Sequence, residues 1–195
     1  MHSPKYIVDT NVILARVKHR EYDETVFPIY WKNFDKLVDE GIIISITTVE
    51  KEIEDLVEKN KYNEEILTWV KNHSQMFKLP KDNKYMEETK NIKNELPGYF
   101  EYYDKKSFAD AYLVVYAKAY NLILVTQELP NKKEPKANKF KNLKIPTACK
   151  KLGGYYRCGL AEVTSNIDPN QTSFQCINFV ELARREKLNK IEFDL

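Results

Sequence analysis

Lys5-Tyr6-Ile7-Val8-Asp9-Thr10-Asn11-Val12 is the stretch that decides the fold. Its apolar, β-prone start predicts a short buried strand ending at Asp9, and the Asp-Thr-Asn that follows predicts a helix starting near Asn11. Two later runs have the same character: residues 42–46, between Gly41 and Thr47, and residues 122–125. The segments between them read as helices. Residues 27–40 carry Trp31, Phe34, Leu37 and Val38 on one stripe, and Gly41 stops them. Residues 48–59, 64–72 and 107–120 follow the helical period, whereas residues 80–100 are charged and less regular. Strand, helices, strand, helices, strand predicts an α/β fold, with a parallel sheet covered by helices on both faces. Residues 174–179 read as an edge strand and lead into a final helix through Arg185.

At 195 residues the chain predicts a single domain over residues 1–195, with the polar, turn-rich residues 153–172 as an insertion before the C-terminal strand and helix. A composition of 43% hydrophobic and 31% charged residues excludes fibrous and disordered classes. The apolar runs are strand-sized, far short of the ~20 residues a membrane-spanning helix requires. Met1 to Lys5 lacks the apolar core of a secretory signal. Three cysteines (Cys149, Cys158, Cys176) without a Cys-x-x-Cys pair fit buried thiols in a reducing cytoplasm. With only three histidines, a His-based triad or His-rich metal site has little material, and any metal is expected to be hard and oxygen-ligated. A net charge of +2 makes no nucleic-acid binder in bulk, so such binding has to come from local clustering. Residues 130–142 supply a cluster: Lys132, Lys133, Lys136, Lys139 and Lys141 against Glu134 alone, a local charge of +4.

Four carboxylates stand where packing does not ask for them. Asp9 lies past the end of a strand, where open parallel sheets bind ligands; it can cap the next helix and still face a ligand. Asp110 shares a helix face with Leu113, Val114 and Ala117, a costly place for a charge unless it is paired or ligates a metal. Ser107-x-x-Asp110 also resembles a capping box, which would account for the same acid. In the helix after the second strand, Glu50 and Glu52 flank the buried stripe Val49, Ile53, Leu56 and Val57 on opposite sides, and periodicity does not choose between them. Glu128 follows the third strand in Val125-Thr126-Gln127-Glu128. Converging at strand ends, these acids would make a site for Mg²⁺ or Mn²⁺, suited to phosphodiester hydrolysis without a covalent nucleophile.

Tyr6-Ile7-Val8-Asp9-Thr10-Asn11-Val12, Val49-x-x-Glu52-Ile53, Ala109-Asp110-Ala111-Tyr112-Leu113 and Val125-Thr126-Gln127-Glu128 together resemble the ordered acidic motifs of PIN-domain nucleases. Val26-Phe27-Pro28-Ile29-Tyr30-Trp31, Lys144-Ile145-Pro146 and Cys149 resemble one subgroup, the DUF4411 PIN-like family related to VapC toxins. The resemblance favours Glu52 over Glu50. It implies a PIN-like doubly wound parallel sheet and a metal-dependent endoribonuclease, the toxin of a toxin–antitoxin pair. RNA would be its substrate, an antitoxin protein its partner and a homodimer a common state. By the same resemblance Asp9, Glu52 and Asp110 would hold the metal and Glu128 would complete the acidic pocket. Asn11 and Thr126 would be polar support. Many PIN nucleases have Asp where this chain has Glu128, and the subgroup often has His where this chain has Gln127.

If that fold holds, the Lys-rich residues 130–142 leave the same sheet edge and bring Lys132, Lys133, Lys136 and Lys139 near an RNA backbone. Tyr99, Phe100, Tyr102 and Tyr103 are either base-stacking platforms or core and surface aromatics. Other classes fit less well. A haloacid-dehalogenase-like phosphatase needs an Asp where Asn11 stands, and no Gly-rich phosphate loop follows the first strand. A catalytically inactive RNA-binding or protein-interaction module on the same fold is the remaining alternative.

Overall fold

The first strand lies inside a six-stranded sheet of order β3-β2-β1-β4-β6-β5, in which every pairing is parallel. The strands are β1 (Tyr6–Val8), β2 (Ile43–Ile46), β3 (Phe77–Lys78), β4 (Ile123–Val125), β5 (Tyr155–Arg157) and β6 (Gln175–Ile177). The computed structural model describes residues 2–17, 20–59, 62, 64–104, 109–133, 140–157 and 174–191. The helices among these residues are α1 (Thr10–Leu14), α2 (Pro28–Asp39), α3 (Thr47–Glu58), α4 (Glu65–Asn72), α5 (Asn83–Glu95), α6 (Tyr99–Asp104), α7 (Asp110–Tyr120), α8 (Ile145–Lys151) and α9 (Phe179–Arg185).

The chain steps outward from β1 through β2 to β3, then returns across β1 to β4. Right-handed crossovers put the connecting helices of the two directions on opposite faces, which is the doubly wound arrangement. On one face the rings of Trp31 and Phe34 from α2, Trp69 from α4 and Phe179 from α9 form a cluster, with Trp31 and Phe179 stacked at 4.9 Å. On the other, α7 packs on β1 and β4, backed by α5, α6 and α8. Burial of both faces accounts for the unbroken apolar runs: all of β1 and β2 is buried. Gly41 ends α2 at φ +77°, a conformation that costs glycine least, and turns the chain into β2.

Several elements differ from the sequence reading. Residues 80–100, expected to be irregular, hold α5, whose start is capped by Asp82 accepting from Tyr85 N at 2.9 Å. Only Tyr85 and Ile92 of that helix are buried, so its apolar period is faint. Residues 174–179 were expected at the sheet edge, but β6 is internal, because Tyr155–Arg157 pairs outside it as β5. The expected insertion at 153–172 therefore begins with a strand, and its remainder from 158 lies outside the described residues. The two-residue β3 was not expected. Asp110 is the first residue of α7 with Ala109 at the cap position, and Ser107 lies outside the described residues. Tyr99 and Phe100 are buried in the core rather than free to stack on bases; the side chains of Tyr102 and Tyr103 lie outside the described set. Among the described residues no helix is long and apolar enough to cross a membrane.

Candidate active site

The direction of winding reverses between β1 and β4, and ligands of open α/β sheets bind in the crevice beyond the strand ends at such a point. There the loops after Val8 and Val125 diverge around a cleft of about 350 Å³. Asp9, Glu52, Asp110 and Glu128 all line it, so the four acids read from separate parts of the sequence meet on one wall system. Glu52 is in the cleft and Glu50 is not among its lining residues. Leu113, Val114 and Ala117 of α7 are fully buried, as expected, while Asp110 sits at the cleft end of that face, half-buried.

Asp9 is 3% exposed. Its Oδ1 accepts from Thr10 N at 2.7 Å and its Oδ2 from the Thr126 hydroxyl at 2.8 Å. It thus holds the start of α1 and faces the cleft at once. Thr126 is fixed in turn: Asn11 Nδ2 donates to its Oγ1 at 3.1 Å, and Asn11 Oδ1 accepts from Gln127 N at 2.8 Å. Asn11 and Thr126 thus tie the chain after β1 to the chain after β4. Glu52 reaches the same place from α3, its Oε2 accepting from the Thr10 hydroxyl at 2.7 Å and from Ala109 N at 3.4 Å.

These contacts are made almost entirely by neutral donors, which orient the carboxylates without cancelling their charge. Burial, then the charges of Asp110, Glu128 and Glu52, push the Asp9 carboxyl well above its ordinary range, against the hydrogen bond from Thr126. Burial raises Glu52 too, opposed by the Thr10 and Ala109 hydrogen bonds. Glu128 differs: Lys144 Nζ is paired with its Oε1, and Ile145 N donates to its Oε2 at 2.9 Å. Burial works against the Lys144 ammonium, but the hydrogen bond and charge of Glu128, with the fields of Asp110 and Asp9, raise its pKa.

A mutually repelling, oxygen-only set of donors is deficient in positive charge and suits a hard divalent cation. Among the described residues, no three acids are already gathered into a metal-holding group.

Sequence reasoning passed over several cleft residues. Thr10, which the sequence places only at the start of a helix, orients Glu52; Lys144 stands out in the sequence only within Lys-Ile-Pro; Arg20 and Tyr62 carry no sequence signal, yet the Arg20 guanidinium lies over the Tyr62 ring at the cleft wall, 4.9 Å from its centroid. Gln127, standing where the resembling subgroup often has His, accepts from Phe179 N at 3.1 Å and anchors α9. Lys132 and Lys133 are exposed and outside the cleft lining, whereas Lys136 and Lys139 lie outside the described residues. Cys149 and Cys176 are buried free thiols.

The sequence matches the family model described as "Domain of unknown function (DUF4411)" over residues 6–156. The chain belongs to the DUF4411 family. The DUF4411 match contains β1 to β4 and all four cleft acids, and it stops within β5, before the internal strand β6 and α9. No curated protein and no solved structure matches the chain.

Proposed function

We propose that this DUF4411 protein is a metal-dependent endoribonuclease with a PIN-like active site, and that Asp9, Glu52 and Asp110 hold its Mg²⁺ or Mn²⁺. The observation that carries this reading is Asp9: a nearly fully buried carboxylate at the sheet's switch point, oriented on both oxygens and destabilised by three neighbouring acids. A fold does not keep such a group for stability alone, since uncompensated buried charge is costly. The chemistry a bound divalent ion supplies at such a place is acidification of a water and neutralisation of charge developing on a phosphate. The chain's own contribution is positional. Thr126 and the Thr10 N–H fix Asp9, the Thr10 hydroxyl fixes Glu52, and Asn11 keeps the β1 and β4 loops at constant separation. The resemblance to VapC-type toxins extends the proposal to a toxin neutralised by a cognate antitoxin.

A metal-free binding module on the same fold is the second possibility. The observation favouring it is the Lys144–Glu128 pair, which already places a cation at the acidic cleft. One experiment separates the two. Purified wild type and Asp9→Asn are incubated with total cellular RNA, with Mg²⁺, with Mn²⁺ and with chelator, and Mn²⁺ binding is measured by calorimetry. Discrete fragments that require both the metal and Asp9 support the nuclease. Absence of both cleavage and Mn²⁺ binding refutes it in favour of the module.

A further inference from the structure

Glu128 is held unlike the other cleft acids. Asp9 and Glu52 take hydrogen bonds from main-chain N–H groups and threonine hydroxyls. Glu128 takes both of its bonds from the start of α8, one from the Lys144 ammonium and one from Ile145 N. The carboxylate is the inner member of the pair, its side chain 13% exposed, and Lys144 is the outer, at 52%. The segment carrying Lys144 is itself pinned to the stretch after β4 that carries Glu128. Asn131 accepts from Lys144 N at 2.8 Å, donates to the Asn142 carbonyl at 3.1 Å, and its own N donates to Thr147 Oγ1 at 2.7 Å. The cleft therefore has a cation fixed at its lip.

That cation matters for the charge of the site. The lining includes the acids Asp9, Glu21, Glu52, Asp110 and Glu128 against the bases Arg20 and Lys144, so a polyanion meets net negative charge there. Single-stranded nucleic acid binds through cations that track its backbone. We propose that Glu128 is a positioning residue for Lys144 rather than a metal ligand, and that the Lys144 ammonium, held in the cleft lining by Glu128, binds a phosphate of the RNA strand. The ligand class rests on the ribonuclease reading above; the division of labour between Glu128 and the other acids rests on the contacts of this pair.

The test uses Glu128→Gln, Lys144→Met, Lys144→Arg, the double variant Glu128→Gln/Lys144→Met, and Asp9→Asn. Glu128 meets Lys144 and Ile145 N with separate oxygens, and glutamine keeps only one acceptor oxygen and no charge, so Glu128→Gln loosens the ammonium without emptying the site. Folding of each variant is checked by thermal melting. Mn²⁺ affinity is measured by calorimetry, and binding of a fluorescein-labelled single-stranded 12-mer RNA by anisotropy in chelator, where no cleavage occurs. Glu128→Gln is expected to weaken Mn²⁺ affinity no more than about threefold, through the lost field of a nearby charge, Asp9→Asn to weaken it at least tenfold, and Lys144→Met to strengthen it by removing a competing cation. RNA binding is expected to weaken about three- to tenfold in Glu128→Gln and in Lys144→Met, no further in the double variant, and to recover in Lys144→Arg. A tenfold loss of Mn²⁺ affinity in Glu128→Gln overturns the proposal, because it makes Glu128 a ligand. Unchanged RNA binding in Lys144→Met, with wild type binding both RNA and Mn²⁺, also overturns it while leaving the nuclease reading standing. Wild type that binds neither overturns both.

Discussion

Replacing Asp9 by Asn removes a buried, destabilised charge and keeps the side chain's shape. In chelator the variant should be at least as stable as wild type at pH 8. The sign follows from linkage: the Asp9 carboxyl is raised in the folded state, so between its unfolded value, near 4, and its raised folded value the native protein binds more protons than the unfolded chain. Wild-type stability therefore falls as pH rises through that window, and the variant lacks this loss. Opposing it is one hydrogen bond, about 0.5–1.5 kcal/mol, since the Thr126 hydroxyl can no longer donate to a carboxylate. That loss is softened because Asn11 Oδ1 already lies 3.4 Å from the same hydroxyl. The variant's advantage should be largest at pH 8 and shrink or reverse at pH 5. Divalent metal should invert the order. At one hundred times its dissociation constant, Mn²⁺ stabilises a binding-competent fold by about 2.7 kcal/mol. For a chain of this size that raises Tm by roughly 5–11 °C in wild type, with little change in Asp9→Asn. Differential scanning fluorimetry at both pH values, with Mn²⁺ and with chelator, reads all of this. A variant that melts well below wild type in chelator at pH 8, or that gains as much from Mn²⁺, would refute the assignment of Asp9 as a strained metal-holding group.

The two glutamates flanking the α3 stripe should separate cleanly: Glu52→Gln lowers metal-dependent RNA cleavage at least a hundredfold, and Glu50→Gln leaves it within about twofold, measured on the same substrate. Arg16, 5% exposed, is tied to the partly exposed Glu24 and Asp35 and sandwiched between Trp31 and Trp69, so Arg16→Met should cost about 1–3 kcal/mol in urea unfolding by removing charge-assisted hydrogen bonds and two cation–π contacts. Trp31→Ala should cost about 3–5 kcal/mol, because it removes the fully buried ring stacked on Phe179 and the indole bond to the Tyr22 carbonyl. Neutralising Lys132 and Lys133 should lower the salt slope of RNA binding by about two, and an unchanged slope would assign those exposed lysines to the solvated surface alone.

The fold was legible in the sequence wherever burial is two-sided. Strands β1, β2 and β4 are buried through most of their length and read directly as apolar runs, and the stripes of α2 and α3 matched helices within a residue or two of the expected ends. Elements with little buried surface were not legible. Helix α5 buries two residues of thirteen, and β3 pairs through only two positions. The order of the last strands was illegible for a different reason. Cys176 and Tyr155–Arg157 have similar local character, and only the pairing of β6 with β4 puts the later strand inside the earlier one.

The site divides along the same physical line. The acids read just past strand ends and at the first turn of a buried helix line the cleft because the sheet and helix ends fix where they emerge. Glu50 and Glu52 could not be distinguished by period, since both flank the stripe; what separates them is the partner across the cleft, Thr10 Oγ1 and Ala109 N, forty and more residues away in sequence. Lys144 was hidden more thoroughly. As a lysine among many in residues 130–144 it carries no local signal, and its position depends on Asn131 holding two points of the chain that follows β4. Glu128 then takes on a different character from the acid its position after a strand suggests. Proximity to Asp9 makes it part of the same electrostatic problem, but its own partners are supplied by α8, so its charge is already answered within the chain. Asp9 and Glu52, held by neutral donors, and Glu128, answered by an exposed ammonium, would give the cleft two poles under the function proposed above, a cation-accepting floor and an anion-accepting lip. A phosphodiester with its counter-ion has that complementarity, which neither pole offers alone.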